Sequence, residues 1–173
     1  MKKIVYLFVL LLSFSSCDDG ELTLESFNFE DVDIQDCDDE NSYLIFKTKK
    51  DELLLVSLSK ENYEAAFNNV PESVTTPREY PINSTNQVIY RKYTGTVSKT
   101  TVCSVIPVSS PTVSKEWGAT GGTIRVQTTV IPDPSVSFVR YNHNITFLNV
   151  NFASTDNSFS FESYLYGDYE IRE

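Results

Sequence analysis

The sequence predicts an all-β protein: an antiparallel two-sheet β-sandwich of about eight strands with one short helix. Several segments alternate apolar and polar residues with a period of two, which is typical of strands buried on one face. All seven prolines lie outside the candidate strands, where a sheet protein tolerates them. Strands do not alternate with helices as they do in parallel sheets, so an antiparallel fold is expected. A β-barrel is the alternative architecture.

Eight segments have the composition of strands. In chain order they are 27–34, 43–46, 53–56, 88–93, 102–106, 122–130, 144–152 and 158–165. The clearest is the sixth, in which Ile124, Val126 and Val130 share one face and polar residues occupy the other. In the last segment the alternation places Leu165 inward and Tyr164 outward.

Two of these segments and one connection have further features. The apolar residues of 144–152 change from one face to the other midway, which predicts a β-bulge. The runs 43–46 and 53–56 are continuously apolar, which favours strands covered on both faces. One helix is predicted after Ser59, because Ser is a favoured N-cap and Leu58 and Tyr63 are spaced as a hydrophobic staple.

The first sixteen residues have the pattern of a signal peptide. Lys2 and Lys3 precede the apolar run 4–12, which is too short to cross a hydrocarbon core of about 20 residues. Small residues, Ser15 and Ser16, follow as a cleavage site requires. Residues 1–16 are therefore predicted to be removed from the mature chain.

The stretch Phe14-Ser15-Ser16-Cys17 resembles a bacterial lipobox, in which the Cys sulfur receives a diacylglycerol. The acidic residues that follow resemble the export signal of surface lipoproteins in the Bacteroidota. This resemblance implies lipidation of Cys17, an acidic tether over 17–26 and a single β domain over 27–173. The alternative is an ordinary cleaved signal, with Cys17 free or in a disulfide.

Charge is concentrated in the N-terminal part of the chain. The net charge is −10, and eleven acids with no Lys or Arg lie between Asp18 and Glu40. A nucleic-acid partner is not expected, because its recognition needs a basic surface. Acid clusters are mostly solvated, so a loose Ca²⁺ site at Asp31, Asp33 and Asp36 is the weaker interpretation.

Cys37 and Cys103 remain once Cys17 is assigned to lipid. Two cysteines in an exported chain favour a disulfide, since the compartment outside the cytoplasm is oxidising. Two buried free thiols are the alternative. No metal site and no cofactor are expected, because the chain has no CxxC pair and no His beside either cysteine.

The sequence favours a role without catalysis. His143 is the only histidine, no nucleophile motif accompanies it, and its setting before a strand suggests a turn or the surface. A small carboxylate-dependent hydrolase would need two acids in one cleft and is the least favoured alternative.

Aromatic residues offer a possible ligand surface. They form 13% of the chain, which exceeds what an isolated motif would supply and suits either a core or a binding face. Trp117, Tyr90, Tyr93 and Tyr164 are the candidate glycan-binding residues. Filling a small core is the stronger interpretation of the same residues.

The order of several short motifs resembles that of a family of small, uncharacterised surface lipoproteins of flavobacteria. The motifs lie at 86–93, 103–108, 111–118, 122–129, 141–149 and 166–169. The resemblance implies a lipoprotein of the outer membrane or cell surface that contacts the membrane through Cys17. It implies no catalytic residues, and it leaves a glycan or protein partner open.

Overall fold

A computed structural model describes residues 27–39, 42–68, 76–131 and 139–170. Its elements, in chain order, are β1 (Gln35–Asp36), β2 (Leu44–Lys49), β3 (Glu52–Ser57), α1 (Lys60–Ala66), β4 (Arg78–Pro81), β5 (Gln87–Tyr93), α2 (Lys99–Cys103), β6 (Val113–Ile131), β7 (Arg140–Ala153) and β8 (Ser158–Tyr169). The signal peptide, Cys17, the acidic tether and Pro71 lie outside the described residues.

All eight strands belong to one antiparallel sheet, which confirms the predicted all-β, antiparallel class. The strand order is β1-β2-β3-β5-β6-β7-β8, and β4 pairs with β6. The predicted division into two separate sheets is not confirmed, and the sheet is not closed as in the barrel alternative. The strands are nevertheless curled, because side chains from both ends of the order meet in one core.

A sharp bend in the long strands lets a single sheet enclose a core. Gly122 has φ of +112° and Asn149 has φ of +50°, and the β6–β7 register shifts on both sides of Gly121. A change of register moves the inward side chains from one parity to the other. The predicted switch in 144–152 is thus confirmed: Ile145 and Phe147 are buried before the bend, and Val150 and Phe152 after it.

The core on the inner face is mainly aromatic and aliphatic. The ring of Phe27 lies 5.0–5.3 Å from the rings of five others: Tyr90, Phe152, Phe159, Phe161 and Tyr164. Rings at such distances gain from edge-to-face contact as well as from burial. The segment before β1 therefore belongs to the core although it forms no strand, contrary to the strand predicted over 27–34.

A second apolar cluster covers the outer face of β2 and β3. Phe46, Leu53 and Leu55 project outward and pack with Val97, beneath the segment that contains α2. Burial on both faces explains why 43–46 and 53–56 are continuously apolar, as predicted. The strand expected over 102–106 is wrong: Ser98 forms a capping box with Thr101 and starts α2.

Helix α1 begins where the sequence predicts. The Ser59 hydroxyl accepts a hydrogen bond from the Asn62 backbone N–H at 3.2 Å, which satisfies one of the free donors of the first turn. The helix buries Ala66 and is followed by the buried Phe67.

Three inward assignments of the sequence differ from the structure. Val130 and Leu165 are 46% and 50% exposed, while Tyr164 points into the core. In β6 the buried position after Val126 is the polar Thr128. In β8, Tyr166 lies at the bulge between the pairs Ile145–Gly167 and Thr146–Leu165. Alternation alone does not locate such a bulge.

Candidate functional site

Three of the four aromatic residues proposed for ligand binding lie in the core. Trp117 and Tyr90 stack with ring centroids 5.1 Å apart, and both are almost fully buried. The Trp117 indole N–H donates to Asn157 Oδ1 at 2.7 Å, and the Tyr90 hydroxyl donates to Glu52 Oε1. These polar ends are thus occupied by the protein itself.

Tyr164 and Tyr93 complete that set and do not join the other two at a surface. Tyr164 is 7% exposed, its hydroxyl accepts the Phe29 backbone N–H, and burial raises its pKa to about 12. Tyr93 is half-buried at the end of β5. The expectation that Tyr90 and Tyr164 face outward is therefore wrong, and no aromatic side chain of the described segments is fully exposed.

The predicted disulfide is present. The sulfur atoms of Cys37 and Cys103 are 2.07 Å apart, and the bridge spans 66 positions of the chain. It joins the residue that follows β1 to the last residue of α2, so it fixes α2 over the outer cluster. Beside it, Lys99 pairs with Asp38.

His143 is a buried strand residue, not the turn or surface residue expected from the sequence. Its Nδ1 lies 2.8 Å from the Thr128 hydroxyl, whose oxygen also accepts from Arg78 Nη2. Burial lowers the pKa of His143 to about 4, and the charge of Arg78 acts in the same direction. The imidazole is therefore neutral at pH 7.

The Arg78 guanidinium joins β4 to the end of α1. Its Nη1 donates to the Ala65 carbonyl oxygen and to Asn68 Oδ1. Among the described residues its Nε has no hydrogen-bond partner. The cluster of Arg78, Thr128 and His143 is accordingly built to hold α1 on the sheet, and it presents no exposed reactive atom.

A second polar chain connects α1 to the two ends of the sheet. The Tyr169 hydroxyl donates to Asp36 Oδ2 at 2.9 Å. Since that hydroxyl has a single hydrogen, Tyr63, 3.0 Å away, must be the donor in the Tyr63–Tyr169 contact. β8 and β1 therefore meet through side chains where their backbones are not paired.

Lys47 is a charged residue inside the core that the sequence analysis did not single out. It is 2% exposed, its Nζ donates to the Phe29 carbonyl oxygen at 2.9 Å, and it lies 5.4 Å from the centre of the Tyr166 ring. Desolvation lowers its pKa, while Asp33, Asp168 and Glu30 oppose the change. Its position within an otherwise apolar strand is the sequence signal that could have identified it.

The acids considered for Ca²⁺ are engaged by other groups. Asp36 accepts from Tyr169 and from the Asp38 backbone N–H, and Asp38 pairs with Lys99. In the part of the chain that the structure describes, no group of three His, Cys, Asp or Glu residues is arranged to hold a metal ion.

Comparison with known proteins identifies no relative. No family model, no curated protein and no solved structure matches the chain. Within the described residues, no helix has the length and apolarity needed to cross a bilayer.

Proposed function

We propose that this chain is a lipid-anchored protein of the outer membrane or cell surface, with a non-enzymatic role in binding or envelope structure. The apolar run 4–12, ending in small residues and Cys17, supports the anchor. One acyl chain binds a membrane only marginally, whereas two or three on Cys17 would hold the protein there. The acidic segment 17–26 would then serve as a tether.

The Cys37–Cys103 disulfide is the observation that carries an exported location. Disulfides persist in oxidising compartments and are rare in the reducing cytoplasm. The bridge joins distant parts of the chain and closes α2 over the outer cluster. A secretory signal followed by a domain with such a bridge supports folding outside the cytoplasm.

The buried position of His143 supports the non-enzymatic part of the proposal. A general base must reach a substrate proton, and this side chain is fully enclosed and held against Thr128. A carboxylate hydrolase is less favoured because Glu52 accepts from Tyr90 and Glu116 pairs with Arg91. Glycan binding lacks an exposed aromatic platform on the described segments.

Replacing the proposed anchor tests the proposal. Wild-type protein and Cys17→Ala are expressed in a bacterium with lipoprotein processing, and membrane and soluble fractions are compared. We expect wild-type protein in the membrane fraction and Cys17→Ala outside it, because the variant has no thiol to acylate.

Asp18→Asn is the matched control, since it changes the neighbouring position and keeps the thiol. It should remain in the membrane fraction. Equal fractionation of wild-type protein and Cys17→Ala would overturn the proposal and return Cys17 to the free or disulfide-bonded alternatives.

A further inference from the structure

One end of the sheet carries most of the exposed lysines. We name it the basal end; it comprises the β2–β3 turn at Lys50 and Asp51, the last residue of β5, Tyr93, and the first of β6, Val113. Backbone hydrogen bonds hold these parts together: Tyr93 N–H donates to the Asp51 carbonyl oxygen, and Tyr93 pairs with Val113 across the ladder.

The charge of the basal end differs from that of the whole chain. Lys49, Lys50 and Lys115 are exposed there. The carboxylates of Glu52 and Glu116 are neutralised by Lys92 and Arg91, which leaves Asp51 as the further acid of the turn. A chain of net charge −10 thus has a small positive excess at this end.

An exposed apolar loop returns to the same end. The loop, residues 104–112, starts after the disulfide and finishes where the Thr94 N–H donates to the Thr112 carbonyl oxygen. Val105 and Ile106 are 94% and 79% exposed, and Val108 is also exposed. Apolar side chains so far out of the protein are typical of surfaces that meet a partner or a membrane.

The chain enters the domain at the basal end. Phe27 packs on Tyr90, and the carbonyl oxygen of the next residue, Asn28, accepts from Lys49 Nζ at 2.7 Å. Ten residue steps separate Phe27 from Cys17, and a chain of that length spans at most about 35 Å. A lipid on Cys17 would therefore keep the basal end within reach of the bilayer.

We propose that the basal end and the apolar loop form the surface on which the anchored domain rests on the bilayer. Val105 and Ile106 enter the headgroup region, and Lys49, Lys50 and Lys115 lie beside lipid phosphates. Apolar residues flanked by lysines have the composition of interfacial membrane contacts. This inference rests on the proposed lipid anchor and adds the orientation of the domain.

The test compares two label positions at opposite ends of the sheet. Ile106→Cys and, as the matched control, Val130→Cys at the far end of β6 replace exposed apolar residues. Each full-length, lipidated variant carries a polarity-sensitive fluorophore and is placed in vesicles of phosphatidylethanolamine and phosphatidylglycerol. Non-reducing mass spectrometry first verifies the acyl groups and the Cys37–Cys103 bridge in each variant.

The expected result is a blue-shifted emission at position 106, quenched by spin labels about 5–10 Å below the headgroups, where interfacial apolar residues lie. Position 130 should show neither effect. Vesicle-bound, acylated protein with a water-exposed label at 106 would overturn the orientation and leave the anchor standing. Shielding that increases with the number of chains per vesicle would assign the loop to a second copy and also overturn it. A chain without acyl groups would overturn both proposals.

Discussion

At the scale of single residues, His143 couples the stability of the fold to pH. The imidazole is fully buried between Thr128 and the ring of Phe67, whose centroid is 5.6 Å away. A proton on Nδ1 would compete with the hydrogen bond from Thr128 and would place a second charge near Arg78. The neutral imidazole is the form that the fold stabilises.

This predicts a loss of stability between pH 6.5 and pH 4. Over that interval the unfolded chain binds a proton at His143 that the native protein, with a pKa of about 4, does not bind. The free energy of unfolding should therefore decrease by up to about 3 kcal/mol as the pH falls, with no further loss from this group below pH 4. Urea unfolding at a series of pH values measures the change.

His143→Gln isolates this contribution, because both proteins share the same carboxylates. The variant should be less stable than wild-type protein at pH 7 and should show a shallower pH dependence between 6.5 and 4. Parallel pH curves for the two proteins would show that His143 does not cause the dependence.

Residue burial was only partly predictable from the sequence. Phe147 and Ile145 were correctly assigned inward because alternation within one strand decides their side. The burial of His143 and Lys47 depends on neighbours from distant strands, such as Thr128 and the Phe29 carbonyl oxygen. The same holds for Tyr90, whose outward assignment failed because β5 is covered by Phe27 and Trp117.

At the scale of elements, the bend in β6 and β7 is the feature that shapes the sheet. A Cβ atom at Gly122 would lie 2.8 Å from the carbonyl oxygens of both Leu148 and Asn149. The backbone at Gly122 also has a positive φ, which side chains other than glycine rarely adopt. The two strands can approach this closely only because the residue has no side chain.

Gly122→Ala should therefore destabilise the protein by about 3 kcal/mol, through backbone strain and overpacking. Gly121→Ala is the neighbouring control, since a Cβ there meets no atom within 4 Å. Its effect should be within about 0.5 kcal/mol, as for an ordinary surface substitution. Guanidinium unfolding of both variants measures the difference, and equal effects would contradict the account of the bend.

The sequence predicted some elements better than others. Helix α1 and most strands were located from the N-cap at Ser59 and from alternation. The segment 102–106 was taken as a strand because its apolar residues resemble one. Its first part is helix α2, capped by Ser98 and Thr101, and its second part is exposed loop. A short apolar run has the same composition in either setting, so tertiary contacts decide.

At the scale of the whole molecule, the disulfide constrains the order in which the outer face is covered. Cys37 and Cys103 are 66 positions apart. A cross-link over a loop of this length reduces the entropy of the unfolded chain and stabilises the fold by about 4 kcal/mol in the chain-entropy model. The outer cluster, with Phe46 and Leu53, depends on the same closure.

The double variant Cys37→Ala/Cys103→Ala should lose about 4 kcal/mol of stability. Chemical denaturation of the variant and of reduced wild-type protein measures this loss, and the two should agree. If the variant and the oxidised wild-type protein unfold at the same denaturant concentration, the bridge contributes nothing to stability.

The overall architecture was predicted in class but not in connectivity. The alternating pattern identifies antiparallel strands, yet it does not reveal that β6, with 19 residues, serves two neighbours in turn. β6 pairs first with β5 and then, past the bend at Gly122, with β4. One bent sheet and two separate sheets therefore give nearly the same sequence pattern.

The intact mass of the chain, extracted from membranes without reducing agent, tests the lipid anchor most directly. We expect the mass of residues 17–173 with two or three acyl chains on Cys17, less the two hydrogens lost in the disulfide. A chain that retains residues 1–16, or one cut before Cys17 and carrying no lipid, would contradict the account.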